Sequence, residues 1–354
     1  MLYPLKMIPY FRHGSDTPWG GDALSMLGKA IPDDTTGEAL EVSALPGRES
    51  VVANGDLAGR TFTQAIEAWG RDLTGCEGEF PLLLKLIDAK DRLSVQVHPD
   101  DVYAGAHEGG KLGKTEAWLV VSAAPGTRMV YGVNAKDKDE LRAMVEAGRL
   151  EEALNWVNVQ PGDVYYIPHG MIHALGAGMV VYEIQQSSDV TYRFWDWGRV
   201  GKDGKPRALH TEDALAVSRP ELSKTGKLPG ATVICEGGSR TAYISDANFE
   251  LWRLNVAGEM PLESGRMRLL TALCPLRVHW GEGEFDLNVG ETCVVPAALS
   301  GVSISGRGAV LCSMLPDQAA IREQLGYRAD LIAGQAEPAP GCCRVGQTNP
   351  SAID

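Results

Sequence analysis

The sequence predicts a mainly β protein, and three observations carry that expectation. Glycine and proline, 41 and 20 residues, are spread evenly over the 354-residue chain and cut it into short segments. Between them lie apolar and β-branched runs at 82–87, 93–97, 117–121, 164–167, 179–184, 231–235, 249–256, 269–273, 277–280 and 292–295. Short strands at close spacing, separated by turn residues, favour a sandwich or a barrel. Helical periodicity, the third observation, is confined to 63–73, 138–157, 212–218 and 317–325; in the second of these Leu141, Met144, Val145, Leu150 and Leu154 recur at helical spacing. Strands do not alternate regularly with helices, so a doubly wound parallel sheet is not expected.

The chain is long enough for two domains of ordinary size. Residues 218–230, with two prolines, two glycines and two lysines, read as a linker. This places a first domain at 1–220, with a small helical insertion at about 137–157, and a second at 221–315. Residues 316–354 form an extension: a short helix, then from 336 a tail rich in proline, glycine and small polar residues, expected to be loosely held.

Hydrophobic residues make up 44% of the chain and charged residues 22%, as in an ordinary globular protein. The formal net charge of -13 argues against a nucleic-acid partner and against an anionic membrane surface. An anionic substrate would therefore need a local cluster of basic side chains. The seven cysteines are odd in number and form no CxxC pair, which reads as reduced thiols of a cytoplasmic protein, with Cys342 and Cys343 on the tail. The first residues, MLYPLKMIPYFRHG, hold no apolar run of signal-peptide length, and no segment approaches the ~18 apolar residues that span a bilayer. Nothing in the sequence determines the oligomeric state.

The chemistry concentrates between residues 94 and 193. In Ser94-Val95-Gln96-Val97-His98, Gln96 and His98 are two apart and share one face of a strand, while Val95 and Val97 take the other. Gly113-Lys114-Thr115-Glu116 then offers a carboxylate at the start of another apolar run. In the stretch from Pro161 to His173, Gly162 turns the chain into a strand that ends at Pro168, Gly170 permits a tight turn, and His173 opens the next strand. Gln96, His98, Glu116 and His173 together would supply two imidazoles, one carboxylate and one amide oxygen. Such a set suits zinc with an open coordination position, although iron, manganese, cobalt or nickel would also accept it. A lone histidine on an apolar strand is more often a hydrogen-bonded core residue than a ligand; His13, His107, His169, His210 and His279 are left under that reading.

The spacing G-x5-P-x-G-x2-H from Gly162 to His173 resembles the second motif of the cupin superfamily, and Gln96, His98 and Glu116 resemble its first, with glutamine where many members have histidine. Longer runs are similar to class I mannose-6-phosphate isomerases of the short bacterial form. They are Trp19-Gly20-Gly21, Thr36-Gly37-Glu38, residues 51–55, PLLLKLIDAKDRLSVQVHPDD at 81–101, GKTEAW at 113–118, residues 161–174, and QQSSDVTYR at 185–193. The likeness runs from about residue 8 to about residue 315. It implies two cupin (jelly-roll) β-barrels with a small helical insertion. It also implies one Zn2+ per chain on Gln96, His98, Glu116 and His173, and a sugar phosphate as partner. By matching motifs, Arg193, Glu183 and Lys114 are the expected catalytic residues, and Ser94, Lys85 and Trp19 are expected to line the substrate pocket. Two departures fall near that pocket: Leu40 stands where the family commonly has tryptophan, and Asp16-Thr17-Pro18 lacks the family's usual lysine.

The implied reaction interconverts mannose 6-phosphate and fructose 6-phosphate through an enediol, moving a proton between carbons 2 and 1. Glu183 is the expected base, with Lys114 or a metal-bound water as alternatives, and Arg193 would bind the enediolate oxygens or the phosphate. The bland alternative for Glu183 and Arg193 is a structural ion pair at a strand end. Other readings of the whole chain are an isomerase of a different sugar phosphate, an iron-dependent cupin oxidoreductase and a sugar-binding cupin without catalysis. In the second half, the G-x5-P run of residues 290–296 is not followed by G-x2-H, so His279 lacks a partner set and that barrel is expected to hold no metal.

Overall fold

The computed structural model describes residues 1–200, 204–224, 226–281, 283–325 and 332. Among these residues, twenty-one strands form three antiparallel sheets. The first has six strands in the order Val164–Ile167, Glu116–Ala123, Met179–Gln186, Leu82–Ala89, Glu38–Val42 and Tyr10–Arg12. The second has five, in the order Tyr192–Trp195, Val95–Val97, His173–Ala174, Arg128–Val133 and Leu154–Asn158. The third has ten and is built around the hairpin-like pair Glu250–Leu262 and Val302–Met314, which are in register along their full length.

The six-stranded sheet lies in the middle, and strand alternation sends its two faces to different neighbours. Leu82, Leu84 and Leu86, with Ala117, Leu119, Val180, Tyr182 and Ile184, pack against Leu5, Leu251, Leu269, Val294 and Leu311 of the ten-stranded sheet. The intervening positions Ile87, Ala89, Trp118, Val120 and Val181 face the five-stranded sheet and meet its Met129 and Tyr131. The outer side of the five-stranded sheet, carrying Val95, Val97, Val130 and Val133, is covered by the helices Lys138–Glu146 and Thr211–Val217 through Leu141, Ala214 and Leu215. A run with no polar alternation, such as residues 82–87, is thus a central strand buried on both faces.

Most of the expected strands are present, some longer than expected: 249–256 belongs to Glu250–Leu262, and 93–97 is trimmed to Val95–Val97. The helical insertion is shorter than expected. The helices Lys138–Glu146 and Leu150–Ala153 are separated by Gly148 at φ +69°, and the chain then becomes the strand Leu154–Asn158. Trp156 and Val157, which favour strands, pair with Val130 and Met129 and override the helical spacing. Residues 218–230 are anchored as well as connecting, since the Arg219 amide donates to the Gly170 carbonyl and the Leu228 amide to that of Val164. The extension contributes the helix Gln318–Leu325, while the tail expected from 336 onward lies outside the described residues.

The N-terminal strand Leu5–Ile8 pairs not with the first half of the chain but with Thr292–Val295 of the ten-stranded sheet. Its Leu5 is fully buried in the core between the ten- and six-stranded sheets. Replacing Leu5 with alanine should therefore lower unfolding free energy by about 2–5 kcal/mol, the usual range for emptying a leucine site in a packed core. Denaturant titration of wild type and Leu5→Ala measures this, and a loss under about 1 kcal/mol would show that the site collapses or is not a tight joint between the sheets.

Candidate active site

Alternation on the two facing sheets brings the polar residues together. On the six-stranded sheet, Lys85 lies opposite Glu183 and Glu183 opposite Trp118, in one row across three strands. On the five-stranded sheet, Arg193 lies opposite Gln96 and Gln96 opposite His173. Trp19, Lys85, Ser94, Gln96, Lys114, Glu183 and Arg193 line one cavity of about 290 Å3. His98, Glu116 and His173 lie behind it, joined to it through Gln96 and Lys114. All ten residues singled out by sequence therefore meet in one place.

The imidazoles are oriented by the backbone. His98 Nδ1 is 2.8 Å from the Val190 carbonyl oxygen, and His173 Nδ1 is 2.9 Å from that of Met171. Because a carbonyl only accepts, each Nδ1 must carry the proton, which leaves each Nε2 as a lone-pair donor. Those atoms face Glu116: His173 Nε2 is 3.2 Å from Oε1 and His98 Nε2 is 3.7 Å from Oε2. Ligand atoms of the three residues all lie within 4.8 Å of one another, and all three side chains are buried. Gln96 is beside them, its amide nitrogen 3.4 Å from His173 Nε2 and its Oε1 accepting from Ser94 Oγ at 3.2 Å. Turning that amide over would aim Oε1 at the imidazoles and let the nitrogen donate to Ser94.

This donor set fits a divalent cation. Glu116 is fully buried, and its Oε1 faces the unprotonated His173 Nε2 with no hydrogen-bond donor beside it. Two imidazole lone pairs and an unsatisfied carboxylate converging on one point are an unfavourable arrangement without a positive charge among them. The nearest positive charge is Lys114, whose Nζ is 2.6 Å from Glu116 Oε2 and 3.4 Å from His98 Nε2. Two histidines, a carboxylate and an amide oxygen match zinc with room left for a substrate oxygen.

The lysine is one link in a buried chain of alternating charge. Arg12 contacts Glu38 at 3.0 Å, Glu38 is 3.7 Å from Lys85, Lys85 is 3.1 Å from Glu183, and Glu183 is 3.8 Å from Lys114. Trp118 Nε1 donates to the other oxygen of Glu183 at 2.8 Å and holds that carboxylate in place. Burial would raise the pKa of Glu116, but Lys114 and the imidazoles outweigh it and hold the group well below the carboxylate range. Burial likewise opposes ionisation of Glu38, and Lys85 and Arg12 overcome it, so its pKa is lowered. Lys114 is raised because Glu116 and Glu183 outweigh its burial. His98 is held well below its ordinary value by burial and then by Lys114, which keeps it neutral as a ligand must be.

Arg193 is different. Its Nη1 donates to the Ala208 carbonyl at 2.8 Å, but its buried Nε has no partner and no carboxylate pairs with it among the described residues. Burial, and then the adjacent Arg207, lower its pKa without bringing it near neutrality. It is a guanidinium presented to the cavity with bonding capacity to spare.

Sequence reasoning missed Arg12, Arg48, Asp189 and Arg207, which also line the cavity, and Trp118 behind Glu183. Glu38 stood inside a motif but drew no role; its place in the charge chain becomes visible only when residues 38 and 85 are neighbours. Leu40 and Asp16, where the sequence departs from the resembled pattern, both line the cavity. Leu45, Arg48, Ser188 and Asp189 separate it from a larger cavity of about 670 Å3 between the two halves of the chain. That larger space holds none of the ligating residues.

The fold and site define a layered β protein with a buried His-Glu-His metal centre at the back of a cation-rich cavity. Residues 13–112 match the model of the type I phosphomannose isomerase catalytic domain. The mannose-6-phosphate isomerase of Streptococcus mutans is 37% identical over 300 residues, covering 83% of this chain and 94% of that protein. The crystal structure of mannose 6-phosphate isomerase from Bacillus subtilis superposes with a TM-score of 0.83 at 33% identity, covering 88% of this chain and 99% of that one. A mannose 6-phosphate isomerase bound with zinc and yttrium shares the fold at a TM-score of 0.70 and 18% identity, over 89% of this chain and 100% of that one. The chain belongs to the type I mannose-6-phosphate isomerase family.

If the two imidazoles carry the metal, His98→Ala and His173→Ala should each abolish retention of one zinc ion per chain after dialysis. Ser94→Ala, which only frees the Gln96 amide, should weaken zinc by about 10–100-fold. Metal analysis and competition with a chromophoric chelator give both numbers; full zinc content in either histidine variant would remove that residue from the centre.

Proposed function

We propose that this chain is a zinc-dependent aldose-ketose isomerase that interconverts mannose 6-phosphate and fructose 6-phosphate through an enediol. The observation that carries the reading is the pairing of a buried metal-ligand set with an uncompensated arginine, Arg193, in one cavity. Membership of the family supplies the substrate. Zinc, held by His98, Glu116, His173 and Gln96, would polarise the sugar oxygens on carbons 1 and 2.

This chain's own residues do the rest. Arg193 offers the N–H groups left over from its bond to the Ala208 carbonyl to the developing enediolate oxygens or the phosphate. Lys85 and Lys114 flank the Glu183 carboxylate at the cavity wall, at 3.1 and 3.8 Å. That carboxylate takes the proton from carbon 2 and delivers one to carbon 1, while the hydroxyl proton passes from oxygen 2 to oxygen 1, so atoms and charge balance over the cycle. Lys114, 3.8 Å from Glu183 and 2.6 Å from Glu116, stands between the base and the metal centre and can serve the substrate hydroxyls from there. Trp19 and Ser94 bound the space in which the sugar must lie.

The reading extends to the architecture. Residues 1–220 form the catalytic cupin domain and residues 221–315 a second, metal-free jelly roll; the stacked six- and five-stranded sheets support the first and the strand pair Glu250–Leu262 and Val302–Met314 the second. The thiols of Cys235, Cys274, Cys293 and Cys312 support a reducing, cytoplasmic setting. No helix among the described residues is long and apolar enough to cross a membrane.

A coupled assay for fructose 6-phosphate, run on zinc-loaded protein with mannose 6-phosphate, tests the proposal directly. Turnover should vanish with a chelator and return with zinc; a folded, zinc-bearing protein without turnover would sink the substrate assignment. In the same assay Arg193→Ala should lose about 10²–10³-fold in kcat, as when one donor to a developing oxyanion is removed. Reaction in deuterated water should place deuterium at carbon 2 of mannose 6-phosphate formed from fructose 6-phosphate where the proton on Glu183 exchanges with solvent, whereas full absence of label would point to a hydride shift or a shielded proton.

A further inference from the structure

A second cavity, of about 450 Å3, shares no lining residue with the catalytic one and is bounded in part by Arg92, Thr127, Arg128, Glu151 and Trp156. Its two arginines are held by aromatic rings and not by carboxylates. In a chain of net charge -13 most guanidiniums find a carboxylate: Arg142, Arg149, Arg207, Arg240 and Arg277 all do. Neither Arg92 nor Arg128 has a carboxylate partner among the described residues. Each lies over an indole instead, Arg92 Cζ 4.1 Å from the centre of the Trp197 ring and Arg128 Cζ 5.3 Å from that of Trp156.

The indoles form a rigid platform. Trp156 and Trp197 are 5.9 Å apart, Trp197 and Trp195 4.3 Å, and Trp197 is tied down by donating Nε1–H to the Leu93 carbonyl at 2.6 Å. Trp197 also takes φ +60°, the only positive φ outside glycine among the described residues. That conformation is costly for a bulky side chain and persists only where the surroundings hold it. A guanidinium over a ring keeps N–H groups for other partners, so Arg92 and Arg128 lining one cavity can both donate to phosphate oxygens there. Glu151, exposed beside them, suits hydroxyl groups and disfavours a bare polyanion.

We infer that this cavity is a second binding site for a small phosphorylated and hydroxylated molecule, held by Arg92 and Arg128 and separate from the catalytic cavity. The sugar phosphate of the proposed reaction and other organic phosphates share that chemistry. The site itself does not depend on the proposed reaction.

Isothermal titration of the zinc-loaded protein with glycerol 3-phosphate and with inorganic phosphate, followed in parallel by tryptophan fluorescence, tests the inference. Glycerol 3-phosphate should bind saturably and more tightly than inorganic phosphate, with a fluorescence change from the indole platform. The binding should persist in Arg193→Ala and weaken at least tenfold in both Arg92→Gln and Arg128→Glu. Arg128 is exposed at the start of its strand, so its variant keeps the inference testable should Arg92→Gln disturb the Trp197 stack. Binding lost in Arg193→Ala would assign the ligand to the catalytic cavity, and binding unchanged in Arg128→Glu, or absent in wild type, would overturn the site. Substrate inhibition at high mannose 6-phosphate that disappears in Arg128→Glu would identify the substrate itself as one occupant.

Discussion

The site depends on one electrostatic constraint: Glu116 is a carboxylate with no exposure to water, facing two imidazole nitrogens and a single ammonium, Lys114, 2.6 Å from its Oε2. Such a group is tolerable only where positive charge is close and held in position. Lys114 meets part of the demand, but an ammonium so placed needs compensation of its own, which Glu183 supplies. Glu183 in turn is balanced by Lys85, Lys85 by Glu38 and Glu38 by Arg12. Each charge is buried because its neighbour is, and the chain ends only where Arg12 is partly open to solvent. Removing one member leaves two uncompensated neighbours, so the ladder acts as a unit and its members cannot be valued singly.

The three-layer arrangement is what makes such a ladder possible. A central sheet buried on both faces would ordinarily carry apolar residues throughout. Here the face toward the ten-stranded sheet does so, while the face toward the five-stranded sheet exchanges apolar residues for Lys85, Glu116 and Glu183 at the end near the cavity. The strand pairing places these three in adjacent rows, and the five-stranded sheet supplies Gln96 and His173 from opposite them. Neither sheet holds the whole site. The metal centre is therefore also a joint between sheets, and its two histidines are fastened to backbone carbonyls at Val190 and Met171 and not to mobile side chains.

How far this was legible in the sequence follows from range. Gln96 and His98 could be assigned to one strand face because alternation is local, and His173 could be placed after a turn because Gly170 and Pro168 announce it. Gly170 takes φ +83° there, and a Cβ on it would meet Arg219, so the glycine is needed on both counts. The strand Val302–Met314 was not legible: Gly306 and Gly308 read as turn residues, and only its pairing with Glu250–Leu262 keeps it extended. The strand Leu5–Ile8 was missed because its partner lies almost 290 residues away. Arg12 and Glu38 went unassigned for the same reason, since a charge pair has no periodicity to betray it before the chain is folded.

A strongly acidic chain that handles a phosphorylated sugar looks contradictory until distance is considered. In physiological salt the field of an exposed charge decays over about 8 Å, so most of the -13 is screened from a ligand inside the cavity. What the ligand meets is the lining, where Arg12, Arg48, Lys85, Lys114, Arg193 and Arg207 outnumber Asp16, Glu38, Glu183 and Asp189. Pairing then decides which of those cations are available. Arg207 is committed to Asp196, Lys85 to Glu183, Lys114 to Glu116 and most of Arg12 to Glu38. Arg48 is held only loosely by Asp189 at 3.7 Å, and Arg193 by no carboxylate. The free positive charge of the lining is thus concentrated on Arg193 and Arg48, neither of which belongs to the ladder. A dianionic substrate entering there gains its strongest contacts without breaking a pair that keeps Glu116 buried, and that separation lets one cavity both bind an anion and keep a carboxylate ionised beside it.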